Sequence, residues 1–348
     1  MWYLKNIPRK AHFYWGNKIL PFDRFLSVAS FAAVNRDWDV CLHTSTAKSD
    51  SLDVSWDSLE HKNRSDNKKN SCYWGRAEAV CNIRIVEHDL SSLGDISEVH
   101  KSDFLRWELL AEEGGLWSDI DILYFRPMEK LYFNIEKKST LDIDGFKVDV
   151  DPEIVSDVVC VCNLPGTAAV NSIGFLMSEP GSKLFRDVCL LRDFFLEKRR
   201  IPNLKREYQS LGRQVLDNMV FEHEFLVGKP SYKRIDLRDE SSAAFTKDLA
   251  ITSAEPNEVP LPGGINLPQN IVYPYVDPTI HLILQENHLT NDYIEERTIG
   301  IHWYGGHPRM GKFMGQLDEN SIWNLAPSIM KDFLVSVVKK HWDYLFPA

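Results

Sequence analysis

The stretch SDFLRWELLAEEGGLWSDIDILYFRP, residues 102–127, sets the architecture of this 348-residue chain. Val99 to Glu113 reads as a helix, with Phe104, Leu105, Trp107, Leu109 and Leu110 on a wide apolar face and Gly114-Gly115 as the stop. Leu116 to Phe125 reads as a strand, apolar except at Ser118, Asp119 and Asp121. Side chains alternate along a strand, so Asp119 and Asp121 would point to one side and Ile120 and Ile122 to the other. Core stability offers no reason to put two acids inside such a run.

Upstream, the same alternation of elements continues. Lys10 to Trp15 is a short apolar-aromatic strand ending at Gly16, and Pro21 to Val34 carries Phe22, Phe25, Leu26, Ala29 and Ala33 at helical spacing. Asp39 to His43 and Ile83 to Val86 read as further strands, separated by a charged, weakly periodic surface insertion at Lys48–Asn70. Strands alternating with helices imply an α/β fold whose central sheet is mostly parallel, with helices on both sides. Downstream, Leu184, Val188, Leu191 and Phe195 share one helical face, and Glu240–Gln269 is rich in Pro, Gly and Ser and reads as loop. Pro327 to Trp342 is an amphipathic helix with Met330, Phe333, Leu334, Val337 and Val338 apolar. Docking on the core is the favoured use of that face, while Lys331, Lys339 and Lys340 also allow peripheral membrane contact.

Composition narrows the class. Apolar residues at 44% and aromatics at 11% supply a sizeable core and exclude global disorder. A net charge of −10 argues against nucleic acid as a partner, for which a basic stripe is expected. The longest uncharged apolar run, Phe25–Val34, is about half of the ~20 residues a spanning helix requires. The opening MWYLKNIPRK lacks an apolar signal region, so a soluble cytoplasmic protein is expected. Six cysteines, at 41, 72, 81, 160, 162 and 189, show no disulfide spacing, and Cys160 with Cys162, two apart on a strand, read as buried free thiols rather than a metal set.

Three constellations carry chemistry. Asp119 and Asp121, pointing together, repel unless a positive charge lies between them, and a divalent cation such as Mn²⁺ or Mg²⁺ meets that need. A solvated strand edge is the bland reading of the same triplet. Asp103 and Arg106 share a helical face at i and i+3. They are either an ordinary surface ion pair of little worth, or a sugar-hydroxyl acceptor beside a fixed guanidinium fork. A late cluster, Gly300-Ile301-His302-Trp303-Tyr304-Gly305-Gly306-His307-Pro308-Arg309 with Lys312 beyond, offers a third metal ligand in His302. The same cluster offers close backbone approach to a diphosphate at Gly305 and Gly306, and cations at Arg309 and Lys312.

The run Asp103-x-x-Arg106, Gly114-Gly115, Asp119-x-Asp121 resembles the DXD-containing sugar-binding region of GT-A glycosyltransferases. It is most similar to the group of yeast-type α-mannosyltransferases, capsular polysaccharide transferases and large clostridial glucosylating toxins. Ile7-Pro8-Arg9-Lys10-Ala11-His12-Phe13-Tyr14-Trp15-Gly16 is similar to that group's opening strand. Asn171–Gly174 followed by Glu179–Ser182 resembles the stretch after its DXD strand. The late cluster has Gly and His where the group's H-x-x-x-S-W has Ser and Trp.

This resemblance implies a retaining, metal-dependent transferase on a Rossmann-like GT-A fold. Its donor would be a nucleotide-diphosphate sugar, UDP favoured over GDP, and its acceptor a glycan, a lipid-linked glycan or a protein. Trp15 would stack on the base, and Asp103 and Arg106 would hold the donor sugar and diphosphate. Asp121 would ligate the metal directly, Asp119 would bridge sugar hydroxyls and metal-bound water, and His302 would complete the metal shell. One catalytic domain is expected over 1–320, with a nucleotide-binding half at 1–130, an acceptor-side half at 131–320 and a helical tail at 321–348. Tyr208–Gly212 and Asp217 are weaker candidates for the acceptor side. Two other classes compete: a metal-dependent phosphohydrolase using the same acids, and a carbohydrate-binding module that has lost turnover.

Overall fold

Alternation in KAHFY sends Ala11 and Phe13 to one face of strand β1 (Lys10–Tyr14), and His12 and Tyr14 to the other. The computed structural model describes residues 4–48, 71–94, 96–131, 139–143, 146–150, 155–162, 170–197, 211–213, 215–216, 233–236, 263–267, 269–276, 279–285, 294–295 and 298–346. Around β1 stand helix α1 (Phe22–Val34), strand β2 (Asp39–Ser45), helix α2 (Trp74–Ala79) and strand β3 (Ile83–His88). Helix α3 (Glu98–Glu112) follows, then strands β4 (Gly115–Ser118) and β5 (Ile122–Tyr124). Strands β6 (Ser139–Ile143), β7 (Phe146–Val150), β8 (Val155–Cys162) and β9 (Val170–Ser178) lead to helix α4 (Lys183–Glu197). Strands β10 (Lys233–Asp236), β11 (Gly263–Leu267) and β12 (Gly300–His302) precede helices α5 (Pro308–Gly315), α6 (Ile329–Lys340) and α7 (Trp342–Leu345).

Eight strands form one sheet in the order β10–β11–β8–β9–β4–β1–β2–β3. All adjacent pairs are parallel except those made by β9, which runs antiparallel to β4 and β8. Two cores line its two faces. Ala11, Phe13, Leu116, Phe175 and Met177 meet α1 on one side, whereas Tyr14, Trp117 and Leu176 meet α3 and α4 on the other. The chain is therefore an α/β protein with a mostly parallel central sheet covered on both faces, as the element order implies.

Helix α3 begins at Ser97, whose Oγ accepts the His100 N–H at 3.3 Å, and ends where the Gly114 N–H reaches the Leu109 carbonyl at 3.0 Å. Gly115 has φ 95°, and a Cβ there would lie 2.4 Å from the Lys10 carbonyl oxygen. The Gly-Gly stop thus also lets β4 lie against β1.

Two expectations are corrected. The run Leu116–Phe125 is not one strand: the ladder stops after Ser118 and resumes at Ile122 in a separate two-stranded sheet with β12. Between them the backbone finds other partners. The Asp119 N–H donates to the Gly174 carbonyl at 2.8 Å, and the Asp121 carbonyl accepts from the Trp303 N–H at 2.9 Å. The second correction concerns Glu240–Gln269, within which Gly263–Leu267 is strand β11, paired in parallel with β8 and β10. Its backbone groups complete a ladder that local composition does not reveal.

The amphipathic tail docks as expected: Met330, Leu334 and Val338 of α6 enter the α1-side core, and Phe333 stacks on Phe125 with ring centres 4.8 Å apart. Among the described residues no helix is long and apolar enough to cross a membrane. The insertion at 49–70, Tyr208–Ser210 and Asp217 lie outside the described residues.

Candidate metal and donor-sugar site

Asp119, Ile120 and Asp121 form a turn at the carboxyl end of β4, the end at which open α/β sheets bind ligands. Convergence of the acids comes from this turn and not from strand alternation. Ile120 is buried, and its carbonyl accepts from Arg24 Nη1 at 3.1 Å, which pins the turn onto α1.

Each acid has its own support. Asp119 Oδ1 accepts from Arg106 Nη2 at 3.0 Å and from the Trp117 indole N–H at 3.3 Å. Asp121 Oδ1 lies 3.0 Å from His302 Nε2, and Asp121 Oδ2 accepts the Gly305 N–H at 3.0 Å, with Arg24 Nη1 at 3.6 Å. Burial opposes ionisation of Asp121, but His302, Arg24 and the Gly305 N–H outweigh it and hold its carboxyl well below the usual carboxylate range. Tyr304, with φ 52°, is the one non-glycine with positive φ among the described residues; such a conformation costs about 1–3 kcal/mol. That bend sits between His302 and Gly305, the two residues that meet Asp121.

Ligand atoms of Asp119, Asp121 and His302 all lie within 4.8 Å of one another. His302 Nδ1 is buried and makes no hydrogen bond among the described residues. Two carboxylates and an imidazole form an oxygen-rich set that fits Mn²⁺ or Mg²⁺. Gly174 permits the approach: a Cβ there would lie 2.7 Å from Asp119 Oδ2 and 2.6 Å from the Tyr273 hydroxyl.

Beside this cluster lies a buried ion pair. Asp103 is 1% exposed, and its Oδ1 stands 3.2 Å from Arg106 Nη1. Neither Asp103 oxygen makes a hydrogen bond among the described residues. Burial pushes its carboxyl up to about 7, opposed by Arg106 and reinforced by Asp119. A bare buried carboxylate costs several kcal/mol of desolvation, so the pair is no ordinary surface bridge.

The structure therefore brings Asp103, Arg106, Asp119, Asp121, His302 and Gly305 together. Gly305 spends its N–H on Asp121. Trp15 is wholly buried, its indole N–H donating to the Ile19 carbonyl at 2.7 Å and the Arg24 guanidinium 5.4 Å from its ring centre. It stands behind Arg24 as a wall of the site and shows no open face for a base. Arg309 and Lys312 are exposed on α5, and among the described residues no hydrogen bond or ion pair joins Lys312 to the acids.

Sequence reasoning missed Arg24, clamped between Trp15 and Trp303 with the Trp303 ring centre 4.7 Å away, and missed Tyr273, whose ring centre lies 5.0 Å from that of His302. A charged pair, Asp23-Arg24, inside an otherwise uncharged helix was the available signal for the first. Nothing local marks the second.

A family described as capsular polysaccharide synthesis protein matches residues 83–153, which contain Asp103, Arg106, Asp119 and Asp121. No curated protein matches the chain. Among solved structures the chain is similar to the PaToxG glycosyltransferase at 13% identity, covering 62% of this chain and 69% of that one, with a TM-score of 0.38. It is similar to the glycosyltransferase GlyE of Streptococcus pneumoniae TIGR4 at 11% identity, over 98% of this chain and 61% of that one, TM-score 0.41. It is also similar to the galactosyltransferase LgtC, solved with donor and acceptor sugar analogs, at 12% identity over 91% of this chain and 100% of that one, TM-score 0.38.

Proposed function

We propose that this chain is a glycosyltransferase of the GT-A type, moving a sugar from a nucleotide-diphosphate sugar to a glycan, glycolipid or protein acceptor with retention of anomeric configuration. UDP is the favoured nucleotide. One observation carries the reading: Asp119, Asp121 and His302 converge within 4.8 Å beside a buried Asp103 whose oxygens make no hydrogen bond among the described residues. The match of residues 83–153 to a capsular polysaccharide synthesis family supports it.

Asp119, Asp121 and His302 would hold Mn²⁺ or Mg²⁺, which when bound neutralises charge growing on a departing diphosphate. Asp103 accepts hydrogen bonds from donor-sugar hydroxyls, which replace the water it lost on burial. Arg106 keeps Asp103 in place and orients Asp119 through its second nitrogen, at 3.2 and 3.0 Å respectively. Arg24, gripped by two indoles, holds Ile120 and supplies a fixed positive charge next to Asp121. Such a site works by positioning and electrostatics and requires no protein nucleophile.

A phosphohydrolase would need further acids and histidines for a second metal at the same place, and among the described residues the other ligand cluster is His12, Cys41 and His43. The intact Asp103–Arg106–Asp119 chain beside the Asp119, Asp121 and His302 cluster counts against a binding module that has lost turnover.

Calorimetry with UDP and GDP, with and without Mn²⁺, tests the proposal. Nucleotide binding that requires Mn²⁺ is expected, and Asp121→Asn should remove the metal-dependent part while leaving the circular-dichroism spectrum unchanged. If neither diphosphate binds in the presence of metal, the reading fails. Release of sugar from UDP-glucose, UDP-galactose, UDP-N-acetylglucosamine or GDP-mannose then identifies the donor.

A further inference from the structure

His12, Cys41, His43 and His88 stand on one face of three neighbouring parallel strands, where the register sets His12 beside Cys41 and Ser45 beside His88. His12, Cys41 and His43 are each at most 1% exposed. His12 Nε2 lies 2.9 Å from the Gly114 carbonyl, so it carries the hydrogen and donates, and Nδ1 turns its lone pair inward. That nitrogen lies 2.9 Å from His43 Nε2, while His43 Nδ1 lies 2.7 Å from His88 Nε2.

Metal-bound histidines characteristically give their second ring N–H to a carbonyl or another acceptor, which fixes the tautomer and aims the free nitrogen. His12 does this toward Gly114, and His43 can do it toward His88. With those tautomers two lone pairs face each other, and a cation between them replaces the proton that would otherwise be shared. Cys41 Sγ supplies a third corner, with one ligand atom from each residue within 4.8 Å of the others. Arg84 Nη2 stands 3.1 Å from that sulfur, where its charge favours the thiolate, while Asp39 Oδ2, 3.9 Å from the sulfur, opposes it.

We infer that His12, Cys41 and His43 form a second metal site, selective for a thiophilic ion of the zinc class and separate from the Asp119, Asp121 and His302 cluster. Two imidazoles and a thiolate suit Zn²⁺ or Cu⁺ and not the oxygen-seeking ions of the first site. Buried between β1 and β2, the ion would tie two neighbouring parallel strands together and stabilise the sheet. Without an ion, burial keeps the groups neutral: it pushes the Cys41 thiol up to about 11 and His12 down to about 4.

Cobalt(II) tests this on the whole protein after treatment with EDTA and a thiol reductant. A near-ultraviolet thiolate-to-cobalt charge-transfer band should develop and saturate at a single equivalent, and Zn²⁺ should abolish it. The acidic cluster contains no thiol, so the band cannot arise there, and Asp121→Asn should leave it intact even if the proposed activity is wrong. Cys41→Ser should lose the band, whereas Cys72→Ser with Cys81→Ser, both exposed thiols, should keep it. Should Cys41→Ser fail to fold, His12→Gln, which retains a donor toward Gly114, should weaken cobalt binding by at least about tenfold. No band in the unsubstituted protein overturns the inference, as does a band unchanged by Cys41→Ser or by His12→Gln.

Discussion

In the proposed reading, Asp103 sets stability against function. Its carboxyl is raised to about 7 from 3.8 because burial disfavours the anion, with Arg106 opposing the shift. Between about pH 4 and 7 the folded state keeps a proton that the unfolded chain has released, so stability falls as pH rises through that window. Asp103→Asn should flatten this fall and raise the urea midpoint near pH 8, while donor-sugar turnover drops by at least about tenfold, the loss of roughly one strong hydrogen bond to a charged group. A lower midpoint at that pH would make Asp103 a structural anchor instead. The i, i+3 spacing already put Asp103 and Arg106 on one helical face. What spacing could not show is that Arg106 also reaches Asp119, thirteen positions on, because the Gly-Gly turn folds β4 back along its own helix.

That Gly-Gly turn is the element on which the site depends. Gly114 and Gly115 have φ of 65° and 95°, and the second packs against the Lys10 carbonyl. Gly115→Ala adds a strained backbone and a 2.4 Å contact at once, so it should cost at least about 2 kcal/mol, read as a lower urea midpoint. An unchanged midpoint would mean that β1 and β4 can part without penalty. Here apolar periodicity was a sound guide to α3, to its stop and to β4. It failed at the next step: ten residues with strand-like composition became two strands in two sheets, because the backbone of Asp119–Asp121 bonds to Gly174 and Trp303 in place of a ladder. Period-two patterning records which residues are apolar and is silent on which neighbour takes the N–H.

Over the whole molecule, the α1-side core is closed by the C-terminal helix α6. Leu334 is fully buried there, so Leu334→Ala should destabilise the fold by about 2–5 kcal/mol in a single cooperative unfolding transition. Were α6 held in reserve for a membrane, the same substitution would leave the urea midpoint in place and weaken binding to anionic vesicles. Its amphipathic pattern was legible; the partner of its apolar face was not, because core docking and lipid docking use the same periodicity. Strand β11 was hidden for the opposite reason, since a Gly-rich segment is recruited to the sheet by β10, about 30 residues earlier, and by β8, more than 100 residues earlier.

Local pattern was enough for the alternation of strands and helices, the glycine stop, the acidic triplet and the pairing of Asp103 with Arg106. Each depends on residues within a few turns or one pleat of each other, where backbone geometry fixes the spacing. Long-range closure alone brought His302 onto Asp121, wedged Arg24 between Trp15 and Trp303, and gathered three histidines and a cysteine on one face of β1, β2 and β3. Those distances follow from strand register and chain return over tens to hundreds of residues, which no local periodicity encodes.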